Sequence, residues 1–100
     1  MRVWFSRGLI ASSLLFCGCH RPSPENGALI YHNNCLVCHS LRAGVQGNGP
    51  SLAGYFKRNP VPTEEQARQV ILDGKRLMPA FRQRLSSAQT ADLIAYLKTR

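Results

Sequence analysis

Two thiols and an imidazole stand together in Cys35-Leu36-Val37-Cys38-His39, and that spacing admits only a few kinds of chemistry. A dithiol redox pair of the thioredoxin kind wants a strand before it and a helix after it; here a helical pattern precedes and a glycine-rich loop follows. A zinc site needs a fourth ligand and usually a second C-x-x-C pair. A Cys35–Cys38 disulfide is a third option, but it would leave so short a chain without a staple for its core. The remaining reading is covalent haem attachment, for which C-x-x-C-H is the signature. Two thiols on one turn of chain can each add to a vinyl group of the same porphyrin, and His39 is then held where a ring nitrogen reaches the iron.

The second axial ligand is expected to be Met78, in Leu72-Asp73-Gly74-Lys75-Arg76-Leu77-Met78-Pro79-Ala80-Phe81. It is the one methionine left once Met1 is removed. A thioether is a soft, neutral ligand that favours ferrous iron, so a His/Met pair suits electron transfer at a higher potential than two imidazoles. Pro79 stiffens the chain directly after the sulfur, and Gly74 permits the turn leading to it. His20 and His32 are rival ligands. His20 is expected to be solvated in a tether, and His32, three residues before Cys35, lies near the proximal edge, so neither easily reaches the distal side.

The elements that must position these groups are short and helical. Gly27, Ile30, Tyr31 and Asn34 fall on one stripe, and Thr90, Leu93, Ile94 and Leu97 on another. Thr63 with Gln66 and Ser86 with Gln89 read as capping boxes. Ala67, Val70 and Ile71 give a third stripe that ends at Gly74. The expected architecture is an all-α domain of about four short helices wrapped around one covalently bound haem c, with irregular loops between them, one of them carrying Met78. A chain of 100 residues makes at most one domain and is marginal in core size. Its aromatic content is only 8%, and a haem would supply the missing bulk.

These residues resemble the class I c-type cytochromes, and the likeness runs from Gly27 to Leu97. Gly27 and Tyr31 precede Cys35 by eight and four residues, and Asp92-Leu93-Ile94-Ala95-Tyr96-Leu97 closes the chain. In that family such segments are terminal helices that cross at a glycine. Gly47-Asn48-Gly49-Pro50-Ser51-Leu52 looks like the family loop whose proline carbonyl accepts a hydrogen bond from the ligating histidine, here Pro50 from His39, while Leu52 packs on the ring. The resemblance implies an electron carrier rather than an enzyme, free or as a subunit of an oxidoreductase complex. Two alternatives stand beside it: a haem enzyme or gas sensor with a displaceable Met78, and a non-haem structural lipoprotein.

The amino terminus reads as an address. Arg2 and Arg7 precede the apolar run Gly8 to Phe16, the order of a secretory signal peptide, and the run is too short to span a bilayer, which takes about 20 apolar residues. Phe16-Cys17-Gly18-Cys19 resembles a bacterial lipoprotein signal, with Cys19 as the lipidated residue, although Phe16 departs from the usual aliphatic. The expected organisation is a signal at 1–18, a polar, proline-broken tether at 19–23 and the folded domain at 24–100, exported to the bacterial periplasm and anchored to the membrane at Cys19.

The formal charge is +8. Without Arg2 and Arg7, 11 basic residues face 5 acidic ones, which leaves +6. The basic residues are scattered and accompany no binding motif, which argues against nucleic acid. Tyr55, Arg58, Lys75 and Arg76 are placed to touch the propionates or the exposed haem edge. Lys57, Arg58, Lys75, Arg76, Arg82 and Arg84 form an expected docking face for an acidic redox partner.

Overall fold

The computed structural model describes residues 20–100. The leader and Cys19, with the expected cleavage and lipid attachment, lie outside the described residues. Helix α1 spans Pro24–Asn34, α2 spans Glu64–Asp73 and α3 spans Ser87–Leu97, with a single 3₁₀ turn at Tyr55–Lys57 between α1 and α2. Among the described residues this is an all-α fold of three helices and one helical turn, close to the four short elements expected. No helix among the described residues is long and apolar enough to cross a membrane.

Each helix starts where a side chain satisfies its first amides. Ser23 caps α1 by accepting from the Asn26 N–H, and Pro24 sits where a helix has no use for an amide hydrogen. Thr63 with Gln66 and Ser86 with Gln89 form complete capping boxes at α2 and α3, as their spacing predicts. Helix α2 stops at Gly74, whose φ of 73° and ψ of 174° belong to a region only glycine occupies readily.

The core lies where α1 crosses α3. Ile30 and Tyr31 from α1 meet Leu93, Ile94, Tyr96 and Leu97 from α3, and Ile71, Phe81 and Leu85 close the cluster. Gly27 sits at the crossing: a Cβ added there would lie 2.0 Å from the Asp92 carbonyl oxygen and 2.8 Å from the Tyr96 Cβ. The helix backbones therefore approach to a distance that no larger residue permits. Thr90 and Leu93, at 0% and 1% exposed, show that the stripe predicted for α3 is the packed face. Burying a side chain such as Leu93 contributes roughly 1.5–3 kcal/mol.

The segment before α1 is more than a solvated tether. The His20 Nε2 and the Ser23 N–H each lie 2.8 Å from Asp92 Oδ1, and the Asn26 amide donates to Oδ2 at 2.7 Å. Asp92 is 2% exposed. Burial pushes its carboxyl up, but the Ser23 amide, Asn26 and His20 together outweigh burial, and its pKa lies below the ordinary 3.8. His20 is exposed, as expected of a tether residue, and its ring also hydrogen-bonds Asp92 on α3, since a buried carboxylate needs donors.

Candidate functional site

Helix α1 runs straight into the thiol segment. The Cys35 and Leu36 amides both donate to the Tyr31 carbonyl, at 2.8 and 3.0 Å, and the Cys38 and His39 amides both donate to the Cys35 carbonyl, at 3.0 and 2.8 Å. The result is one compact turn in which the two cysteines are free thiols and half-buried. Burial, reinforced by the neighbouring Cys38, pushes the Cys35 thiol up to about 11.

His39 is held by the loop that follows. Its Nδ1 donates to the Pro50 carbonyl at 2.8 Å, which fixes the tautomer and leaves Nε2 as the lone-pair donor. The loop lies against the thiol turn because the Gly49 amide donates to the Cys38 carbonyl and the Leu52 amide to the Ser40 carbonyl, each at 2.9 Å. Gly49 has a further role that spacing alone did not reveal. A Cβ there would stand 2.5 Å from His39 Cε1 and 2.8 Å from Nδ1, so the backbone passes flat against the imidazole.

Met78 arrives on a tight reversal. Its N–H donates to the Lys75 carbonyl at 3.0 Å and its carbonyl accepts from the Lys75 amide at 3.2 Å. Arg76 takes a φ of 55° between them. A Cβ at Gly74 would lie 2.5 Å from the Met78 carbonyl oxygen, so this glycine serves both the backbone angle and the closure of the loop. After the reversal, the Phe81 and Arg82 amides donate to the Ile71 and Leu72 carbonyls at the end of α2. The Met78 side chain is half-buried and packs against the core, as do Leu41, Leu52 and Phe56.

The donor set fits a haem: two free thiols one turn apart, an imidazole with Nε2 available, a thioether, and partly buried apolar side chains from both loops. No group of three or more His, Cys, Asp or Glu side chains among the described residues is arranged to hold a bare metal ion. His32 is exposed and edge-on to Tyr31, and His20 is on Asp92. Arg58 donates to the Ser51 carbonyl at 3.2 Å and stacks over Tyr55, so it braces the loop below His39.

Comparison with known proteins agrees with this geometry. Residues 22–97 match the family described as cytochrome c oxidase, cbb3-type, subunit III. A cytochrome c6 of Parathermosynechococcus lividus is 30% identical over 73 residues, covering 72% of this chain and 84% of that protein. The crystal structure of cytochrome c6 from the diatom Phaeodactylum tricornutum superposes with a TM-score of 0.62 at 29% identity, covering 77% of this chain and 92% of the other. Free thiols ready for attachment, a histidine held through Nδ1 and these matches converge on one conclusion: the chain belongs to the class I c-type cytochromes, electron carriers rather than enzymes, with one covalently bound haem c.

Proposed function

We propose that Cys35 and Cys38 are the thioether positions, that His39 and Met78 are the axial ligands, and that Pro50 and Leu52 support the proximal side. The observation that carries this reading is the His39 Nδ1–H on the Pro50 carbonyl at 2.8 Å, directly after two free thiols on one turn. Bound there, haem supplies the one-electron ferric/ferrous couple. The chain's own residues do the rest. Pro50 orients the imidazole and raises its basicity; Leu41, Leu52, Phe56 and Met78 keep water from the pocket, which limits reorganisation when charge moves. On a denaturing gel stained for haem, the exported protein should give a band that is lost in the Cys35→Ser/Cys38→Ser double variant. A band that survives in the double variant contradicts the assignment.

The partner is an acidic redox protein met at a basic face. Among the described residues Lys57, Arg58, Lys75, Arg76 and Arg84 have no carboxylate partner, whereas Arg82 pairs with Asp73 at 2.5 Å. Val37, between the thiols, and Leu77, beside Met78, are 81% and 95% exposed, and supply apolar contact next to that charge. Transfer to an acidic partner should slow as salt rises, since screening weakens steering; a rate indifferent to salt removes the docking face. Export and a lipid on Cys19 complete the proposal, supported by the basic-then-apolar leader. Mass spectrometry of the mature amino terminus should find a lipidated Cys19, and an unmodified Cys19 or another start excludes the anchor.

A further inference from the structure

Every backbone and ring group of His39 has an assigned role except one. Its N–H goes to the Cys35 carbonyl and its Nδ1 to the Pro50 carbonyl. Its own carbonyl accepts from the Tyr31 hydroxyl at 2.5 Å, across eight residues of chain. Tyr31 is 0% exposed and its ring packs on Tyr96, with centroids 5.6 Å apart.

We propose that Tyr31 is a positioning residue for the iron-ligating histidine, its buried phenol carrying the geometry of the α1–α3 crossing to the backbone from which the imidazole projects. The inference rests on the assignment of His39 as a ligand. Tyr31 brackets the whole thiol turn: its carbonyl receives the Cys35 and Leu36 amides at the start, and its hydroxyl grips the His39 carbonyl at the end. The imidazole is then set by Nδ1 on the Pro50 carbonyl and by a backbone held at both its N–H and its carbonyl, and losing the Tyr31 hydroxyl frees the carbonyl end and lets the ring tilt. Phenylalanine would fill the same space but leave the carbonyl without its donor, so packing alone does not call for the hydroxyl.

The test compares Tyr31→Phe with Tyr96→Phe in the haem-loaded protein; the second removes a hydroxyl from the same cluster without touching His39. Paramagnetic NMR of the ferric state reads imidazole orientation from the hyperfine shifts of the His39 ring and haem methyl protons. Tyr31→Phe is expected to redistribute these shifts and to change the one-electron equilibrium constant by up to about tenfold, or about 59 mV, while Tyr96→Phe leaves both in place. Unchanged shifts and potential in Tyr31→Phe, even with lowered stability, overturn the proposal and leave the residue a packing role. Absence of hyperfine-shifted His39 protons in the wild type would instead defeat the ligand assignment, a distinguishable failure. Should Tyr31→Phe fail to accumulate, the wild-type ferrous protein decides. A slowly exchanging Tyr31 hydroxyl proton with cross-peaks to the His39 backbone is expected, and a fast-exchanging one without them overturns the proposal.

Discussion

The two sides of the site are built differently. His39 is fixed through its N–H, its carbonyl and its ring nitrogen, with Gly49 backbone flat against the imidazole. Met78 is fixed through a two-residue reversal closed on Lys75 and by apolar packing of its side chain; Leu77 and Pro79 on either side of it are exposed. An imidazole has a second nitrogen through which the protein can steer it, whereas a thioether has no donor and only a weak acceptor. The proposed proximal seat at His39 is therefore set by directed hydrogen bonds, and the proposed distal seat at Met78 by backbone closure. Perturbing the first should move a ligand that stays bound or stops folding; perturbing the second should release one.

The largest effect is expected from Gly49→Ala, which drives a methyl into the His39 ring. Overpacking of this kind costs about 3 kcal/mol, and chemical denaturation together with the yield of haem-loaded protein should show the loss. A variant of wild-type stability would mean that the loop is free to withdraw from the imidazole.

Asp92→Asn tests how far the firmness of the proximal side depends on α1 being tied down at its other end. The substitution disturbs a buried site that receives Ser23, Asn26 and His20, at a cost of roughly 1–3 kcal/mol at neutral pH. Because the folded pKa of Asp92 is below its ordinary 3.8, its stabilisation is fully present above that value and is lost as pH falls through the lower folded value. Acid titrations of unfolding should therefore be steeper for the wild type than for Asp92→Asn below about pH 4. Parallel curves would show that the carboxylate does not carry this acid sensitivity.

Gly74→Ala probes the distal closure. Alanine must adopt a glycine-only backbone and press on the Met78 carbonyl, a cost of about 1–3 kcal/mol. The near-infrared charge-transfer band of methionine-ligated ferric haem should weaken while the hyperfine shifts of His39 persist. Equal loss of both signatures would erase the contrast between the sides.

Arg82→Ala should do least. Its pair with Asp73 is exposed on both partners, and such pairs contribute at most about 1 kcal/mol, so a denaturation midpoint close to wild type and unchanged ligand spectra are expected.

How much of this was legible in the sequence follows the range of the interactions. The thiol turn, the two capping boxes and the α3 stripe express local spacing, and the structure has them where that spacing places them, whereas the glycine at the helix crossing, which meets Asp92 and Tyr96 far along the chain, is implied by the family resemblance. The Pro50 contact was accessible only through resemblance to a family, because nothing in a Gly-Pro dipeptide by itself points at an imidazole. The Tyr31 hydroxyl looked like one more core aromatic, since its use depends on a carbonyl delivered by the following turn. Asp92 is hidden in the same way: a carboxylate on an apolar helix face gives no sign of donors 66 to 72 residues away. Gly49 carries no local signal that distinguishes a turn from a surface laid against a ring.

The central claim, an electron carrier closed on both sides by His39 and Met78, is tested most directly by an optical redox titration of the exported protein, followed from the visible into the near infrared. A single one-electron transition, a methionine–iron band in the oxidised state and a reduced form inert to carbon monoxide are predicted. A high-spin oxidised spectrum with rapid carbon monoxide binding on reduction would contradict it.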